Sequence, residues 1–344
     1  MSDQGPVRHR GSQHGRLAPQ LTRREFLRDI AATTAAAAGA VALGYLAYSD
    51  DPVRRREEAV HRLRDFRVEP SAMHPVLAVV RGVQAEPMVR EAVAQLGGMG
   101  RFVQKGERVL IKPNVGWDRQ PEQAANTSPE VVGALVRLCR EAGASQVWVS
   151  DVSLNDPARC FFRSGIQAAV QERGAEVRLP GANDFVTTDM GGSLLRIWPV
   201  SRFFHEVDRV INAPIVKHHS LCGCTLAMKN WYGVLGGRRN QLHQDIHTSI
   251  VDLAQAVRPT LTVMDAIRVL KRNGPTGGSL GDVAVENTVG SSSRGIDTFA
   301  DKRLIKKRKT ALAAKGLTAY NALVVWRGKR RPRASRRVRC SSSG

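Results

Sequence analysis

Between Lys217 and His247 the chain gathers four of its nine histidines, two of its five cysteines and two lysines. These residue types support two chemistries. Imidazole and thiolate at short spacing form a borderline-soft donor set, so His219, Cys222, Cys224 and His243 are candidate ligands of one metal ion. His247 is a substitute for His243, since two histidines four apart would share a helix face. The Cys-x-Cys spacing is tighter than zinc sites usually use, and no second cysteine pair exists. The other chemistry is anion binding. Lys217 and Lys229 would act as point charges, joined by Asn230 and by the backbone amides of the Gly233 to Gly237 turn. His219 is then the general acid or base, its pKa pulled down by the neighbouring positive charge. In this reading Lys217, His219 and Lys229 line one pocket and act in catalysis.

Such side chains need a scaffold, and the hydrophobic pattern supplies one. Short apolar runs at Val76 to Val80, Arg108 to Lys112, Gln146 to Ser150, Glu176 to Leu179, Arg209 to Asn212 and Leu261 to Met264 read as buried strands. Helical spacing separates them: Glu86 to Leu96, then Ser128-Pro129 to about Gly143, then Asp156-Pro157 towards Gly174, the last two opened by an N-cap residue and a proline. This alternation predicts an α/β fold, a parallel or mixed sheet flanked by helices. Ligands of such sheets sit at the carboxyl ends of strands. The polar residues there are Lys112 with Asn114, Asp151, Asn212 with Lys217, and Asp265. Lys112, Asn114, Asp151, Asn230 and Asp265 are therefore expected to bind the ligand. Pro214 breaks the strand ladder and sends Lys217 and His219 over the rim.

Charge and cysteine usage narrow the function classes. The formal net charge is +21, but fifteen basic residues against one acid lie after Ala300, so two thirds of the excess belongs to a tail. That tail lacks interleaved aromatics beyond Tyr320 and Trp326, so nucleic acid is not an expected partner. Cys139, Cys160, Cys222, Cys224 and Cys340 are too scattered for a disulfide framework. No C-x-x-C-x-x-C run exists to hold an iron-sulfur cluster from this chain alone, and a single metal ion is the cofactor left open.

Several motifs in combination resemble the domain-of-unknown-function family DUF362. They are Leu110-Ile111-Lys112-Pro113-Asn114, Ile211-Asn212-Ala213-Pro214 with Lys217 and His219, Thr225 to Asn230, Arg239 with His243, and Ile250 to Leu253, together spanning roughly residues 75 to 285. The resemblance implies an α/β domain, often exported through the twin-arginine (Tat) pathway and elsewhere fused to ferredoxin-like modules, with no settled reaction. Lys112, Asn114, Lys217, His219, Lys229, Asn230 and His243 match the family motif. Cys222 and Cys224 are not general to it, which makes His219 with the lysines the core of the site. Three functions follow as expectations: an enzyme acting on a small anionic substrate, a metal- or redox-handling accessory protein, and a racemase or epimerase. The last comes from a fainter similarity to the nickel-pincer lactate racemase family.

The leader has its own signature. Thr22-Arg23-Arg24-Glu25-Phe26-Leu27, followed by an uncharged run from Ile30 to Ser49, resembles the signal read by the Tat translocase. The small-x-small candidates such as Ala38-Gly39-Ala40 lie inside the apolar run, so an uncut membrane anchor is an alternative to a cleaved signal. The expected location is the periplasm or the outer face of the cytoplasmic membrane. The domain plan is a signal or anchor over 1–50, a linker over 51–74, the α/β domain over 75–285 and a disordered basic tail over 286–344, whose change of character also fits a shifted reading frame.

Overall fold

The computed structural model describes residues 22–47 and 60–293. The chain divides into two units, residues 1–58 and 59–344. In the first, helix α1 (Arg23–Ala47) opens on a Thr22 whose amide and hydroxyl both donate to the Glu25 carboxylate. Its stretch Arg23–Leu43 is 21 residues long with a mean hydropathy of 1.3, enough in length and composition to cross a membrane. At about 1.5 Å rise per residue it matches the ~30 Å hydrocarbon core of a bilayer.

The second unit holds the sheet. Strand β1 (Leu77–Arg81), helix α2 (Ala85–Ala94), β2 (Arg108–Pro113), α3 (Pro129–Glu141) and β3 (Gln146–Val149) follow the expected alternation. The third expected helix is two, α4 (Pro157–Arg163) and α5 (Ile166–Gln171), separated at Gly165, whose φ of 73° no α-helix accommodates. After β4 (Glu176–Val177) come a separate hairpin of β5 (Phe185–Asp189) and β6 (Ile197–Ser201), then β7 (Arg209–Ala213), β8 (Ile215–His219) and β9 (Gly223–Thr225). The short helix α6 (Ala227–Asn230), α7 (Ile246–Ala256), β10 (Leu261–Leu270) and β11 (Val283–Ser292) complete the body.

The large sheet runs β1-β11-β10-β7-β2-β3-β4, with β8 on the distal part of β10 and β9 on β8. Strands β7, β2, β3, β4 and β10 are parallel neighbours, while β11 is antiparallel to both β1 and β10, so the sheet is mixed. Side chains alternate between its faces. Val109, Ile111, Val147, Val149, Ile211 and Val263 pack under α2, α3 and α5, while Leu110, Trp148 and Val210 pack on the other side against Phe204, Trp231, Leu242, Ile250 and Leu253.

Two boundaries move outward. Within the expected linker, His61 bridges to Thr188, the Phe66 amide donates to the Arg258 carbonyl, and the Phe66 ring is buried. Strand β11 runs past 285 between β1 and β10, so the body extends to Ser293 rather than passing there into a tail. The tail from 294 on, and with it the reading-frame expectation, lies outside the described residues.

Candidate functional site

Period-two alternation carries polar side chains to the helix-poor face. Lys112 follows Leu110 by two residues and Asn212 follows Val210 by two, so both point to that face at the carboxyl ends of β2 and β7. Lys112 is fully buried and forms an ion pair with Asp151, 2.8 Å away, just beyond the end of β3. The other Asp151 oxygen accepts the Val115 amide at 2.6 Å. Gly233 crosses directly over this pair: a Cβ at that position would overlap the Asp151 carboxylate and lie 2.6 Å from Lys112 Nζ. Only glycine permits that approach.

From Lys112 a chain of carboxamides runs across the strand ends. Asn230 Oδ1 accepts Lys112 Nζ and Asn114 Nδ2, each at 3.0 Å. Asn230 Nδ2 donates to Asn212 Oδ1 at 2.8 Å, and Asn212 Nδ2 donates to the Ala227 carbonyl at 3.1 Å. At the other end Asn114 Oδ1 accepts Lys217 Nζ at 2.9 Å, and the Ala125 carbonyl accepts the same ammonium or amine.

Lys217 and His219 reach this point because Pro214 ends β7, as expected, but the chain then resumes as β8, pairing with the distal half of β10. The carbonyl of Pro214 accepts the Asp265 amide. Along β8 the odd residues Ile215, Lys217 and His219 are buried. Lys229 comes from α6 and is also buried, with Nζ 3.5 Å from the centre of the Tyr232 ring. His219 and His243 stack with ring centres 6.3 Å apart, and Tyr232 lies 5.1 Å from His243.

A cavity of about 280 Å³ collects these groups: Lys112, Asn114, Asp151, Lys217, His219, Lys229, Asn230 and His243 all line it. Arg239, Tyr232, Thr225, Asn240, Trp117 and Pro275 are among the other residues that line it. Arg239 is fixed by donating to the carbonyls of Tyr232 and Ser153. Of the lining residues only Asp151 is a carboxylate, against the basic side chains of Lys112, Lys217, Lys229 and Arg239.

The electrostatics follow from burial and crowding of like charges. Burial lowers the Lys217 pKa to about 7, and the ammonium of Lys229 adds to the effect. Burial, followed by Lys229 and Lys217, lowers His219 to about 3, so its ring is neutral at physiological pH. Neighbouring charge thus acts on His219 as expected, with desolvation the larger cause. Burial and Lys229 likewise lower His243. The Lys112 pKa is lowered by burial against the opposing pull of Asp151. His219 Nδ1 accepts the Leu221 amide at 3.2 Å, which places the proton of the neutral ring on Nε2.

Three expectations fail on this geometry. Asp265 does not line the cavity; its carboxylate sits in the β10 bulge and accepts the amides of Ile267 and of Ser128, the first-turn cap of α3. His219, Cys222, Cys224 and His243 do not converge, and among the described residues no group of three or more His, Cys, Asp or Glu side chains could hold a metal ion. The β8–β9 hairpin explains this: the Cys222 thiol turns into the apolar layer and donates to the Cys224 carbonyl, and Cys224 packs beside Leu226, Ala227 and Met264. His243 and His247 lie on different elements, a 3₁₀ turn (Arg239–His243) and α7. Nor do the amides of the Gly233 to Gly237 turn form a nest, since that of Leu235 donates to the Tyr232 carbonyl and that of Gly236 to the Pro199 carbonyl. Arg239 and Tyr232 were missing from the expected site, although Arg239 stands in the motif shared with His243.

Residues 109–294 match the family described as Domain of unknown function (DUF362). A thylakoid-associated protein of Synechocystis sp. is 28% identical over 205 residues, which take in 57% of this chain and 63% of that protein. The chain therefore spans less than two thirds of that relative. Two solved structures share weak likeness: the lactate racemase apoprotein from Thermoanaerobacterium thermosaccharolyticum (TM-score 0.38, 11% identity, 68% of this chain and 56% of that one) and a protein from Thermotoga maritima (TM-score 0.37, 13% identity, 69% and 61%).

Proposed function

Given that the chain belongs to the DUF362 family of domains of unknown function, we propose that the cavity at the carboxyl ends of β2, β7 and β8 binds a small organic anion and acts on it as an enzyme. The observation that carries this reading is the wall itself, in which Lys229 and Arg239 stand around a space whose one carboxylate, Asp151, is already paired with Lys112. A fixed cluster of cations in a partly closed cavity favours an anion far more than the same cations on an open surface. The volume lies just below the ~300–1,000 Å³ of pockets for drug-sized ligands, which fits a substrate of few heavy atoms. His219, neutral and protonated on Nε2, donates a hydrogen bond to developing negative charge on the substrate.

Malonate or phosphate tests the reading. Either ion should raise the melting temperature of the full-length chain, less so at high salt, and Lys229→Ala should abolish the gain. No gain with either ion, at low salt, would remove the anion site.

The location we propose is outside the cytoplasm, reached through the Tat translocase, with α1 as signal or anchor. The Arg23-Arg24 pair at its start and its apolar length support this, and the name of the Synechocystis relative accords with a place at a membrane. Replacing both arginines with lysine should hold the protein in the cytoplasm, since the guanidinium pair is what the translocase reads; unchanged periplasmic amounts would sink the claim.

A further inference from the structure

Two of the three buried lysines that line the cavity stand in contrasting settings. Lys112 has a carboxylate 2.8 Å away and is held as one half of an ion pair. Lys217 is equally enclosed, yet its contacts are with neutral oxygens, Asn114 Oδ1 and the Ala125 carbonyl, and no ion pair among the described residues includes it. A buried ammonium in such surroundings is costly, whereas a buried amine is not.

Hydrogen-bond counting supports the neutral form. An ammonium has three donors and no lone pair; an amine has two donors and one lone pair. The two acceptors around Lys217 match the amine, and the position left over on the nitrogen belongs to the lone pair. The Asn114 carboxamide cannot turn to offer its NH₂ instead, because its Nδ2 is committed to Asn230 Oδ1, and Asn230 is in turn fixed by donating to Asn212. The carboxamide chain therefore keeps an acceptor facing Lys217.

Building on the anion site, we infer that Lys217 is a nucleophile that condenses with the carbonyl group of a small oxo acid, whose carboxylate is held by Lys229 and Arg239. The Lys217 nitrogen attacks the carbonyl carbon; the C–N bond forms as the C=O π pair moves to oxygen. Both amine protons leave with that oxygen as water, and the C=N bond of an imine remains. No electrons enter or leave the system. His219 Nε2–H supports the oxygen while it carries charge. An amine that is largely unprotonated near neutral pH is the species this step requires, and the depressed pKa of Lys217, about 7, is consistent with it.

The test traps the imine. The full-length protein is treated with pyruvate and cyanoborohydride, and the adduct is located by peptide mapping; in parallel, malonate, which has no keto group, is assayed for thermal stabilisation. The expected result is a reduced adduct on Lys217, absent in Lys217→Arg, with yield rising through about pH 7 rather than near the ~10.4 of an ordinary lysine. Stabilisation by malonate without an adduct on Lys217 would overturn the nucleophile and leave the anion site standing. Failure of both would overturn both. Adducts spread over surface lysines, equal in the parent and in Lys217→Arg, would also overturn it. Mapping on the unsubstituted chain decides the matter even if the variant does not fold.

Discussion

The two faces of the sheet are covered in different ways. One lies under α2, α3 and α5 and is apolar over most of β2, β3 and β7: Val109 and Ile111, Val147 and Val149, Ile211 and Ala213 all face it. The other is covered by the β5–β6 hairpin, 3₁₀ turns, α6 and α7, and changes character along each strand, from Leu110 to Lys112 and from Val210 to Asn212. Regular helices bury a sheet with repeating apolar contacts and leave little space. Irregular segments leave backbone groups and polar side chains that must be satisfied locally, and it is there that a cavity with buried charge persists. The stable face and the reactive face share the same strands, one residue out of phase.

The largest expected effect tests the polar face. Lys112→Ala should cost about 3–5 kcal/mol in chemical denaturation, because it strands the Asp151 carboxylate unpaired in the interior. A loss below about 1 kcal/mol would mean that this face does not depend on its ion pair.

On the helix-covered face, Leu135→Ala in α3 should cost about 2–5 kcal/mol while leaving the stabilisation by malonate intact. If the ligand response disappeared with it, the two faces would not be separable.

A smaller effect concerns pH. Lys217 has a folded pKa of about 7 against 10.5 in the unfolded chain, so the folded state binds fewer protons between those values and stability should rise with pH across that window. From pH 7 to 8 its share is at most about 1.4 kcal/mol, and Lys217→Met should flatten it. The same sign holds for His219: its contribution is lost as pH falls from 6.5 towards about 3. A denaturation series at several pH values checks both windows.

The smallest change in stability is expected from Lys229→Ala, which removes a cation over the Tyr232 ring, an interaction worth about 0.5–2 kcal/mol. Its signature is loss of the anion response out of proportion to that cost. Lys229 is buried as well as cationic, so this variant measures both roles at once.

The helix-covered face was the legible one. Apolar period, a proline in the first turn and a short connection give β2, α3 and β3 almost to the residue. On the other face the residue types were informative and the path was not. Lys112, Asn114, Asp151, Lys217, His219, Lys229 and Asn230 meet at one cavity as their positions at strand ends imply. Strand β8, by contrast, carries Lys217, His218 and His219 in place of apolar residues, so its text resembles a loop; it is a strand because the bulged β10 lends it a partner. Strand β11 is hidden for a similar reason, being rich in Asn, Thr, Gly and Ser, and it is held in the sheet by neighbours on both sides. Cysteine spacing misled because the β8–β9 turn directs Cys222 inward, which no spacing rule anticipates.

The carboxamides of Asn114, Asn230 and Asn212 all point the same way: Asn114 and Asn230 offer oxygen to Lys217 and Lys112, each passes its nitrogen to the next carboxamide, and Asn212 ends the row on the Ala227 carbonyl. Such a row has a sense, like a line of compass needles, and no member can be reversed alone without setting two oxygens or two NH₂ groups face to face. An aspartate at any of the three positions would keep the shape but demand an extra proton to keep the sense. The row therefore behaves as a single unit, and a chain that had lost Asn114 would need another acceptor at Lys217.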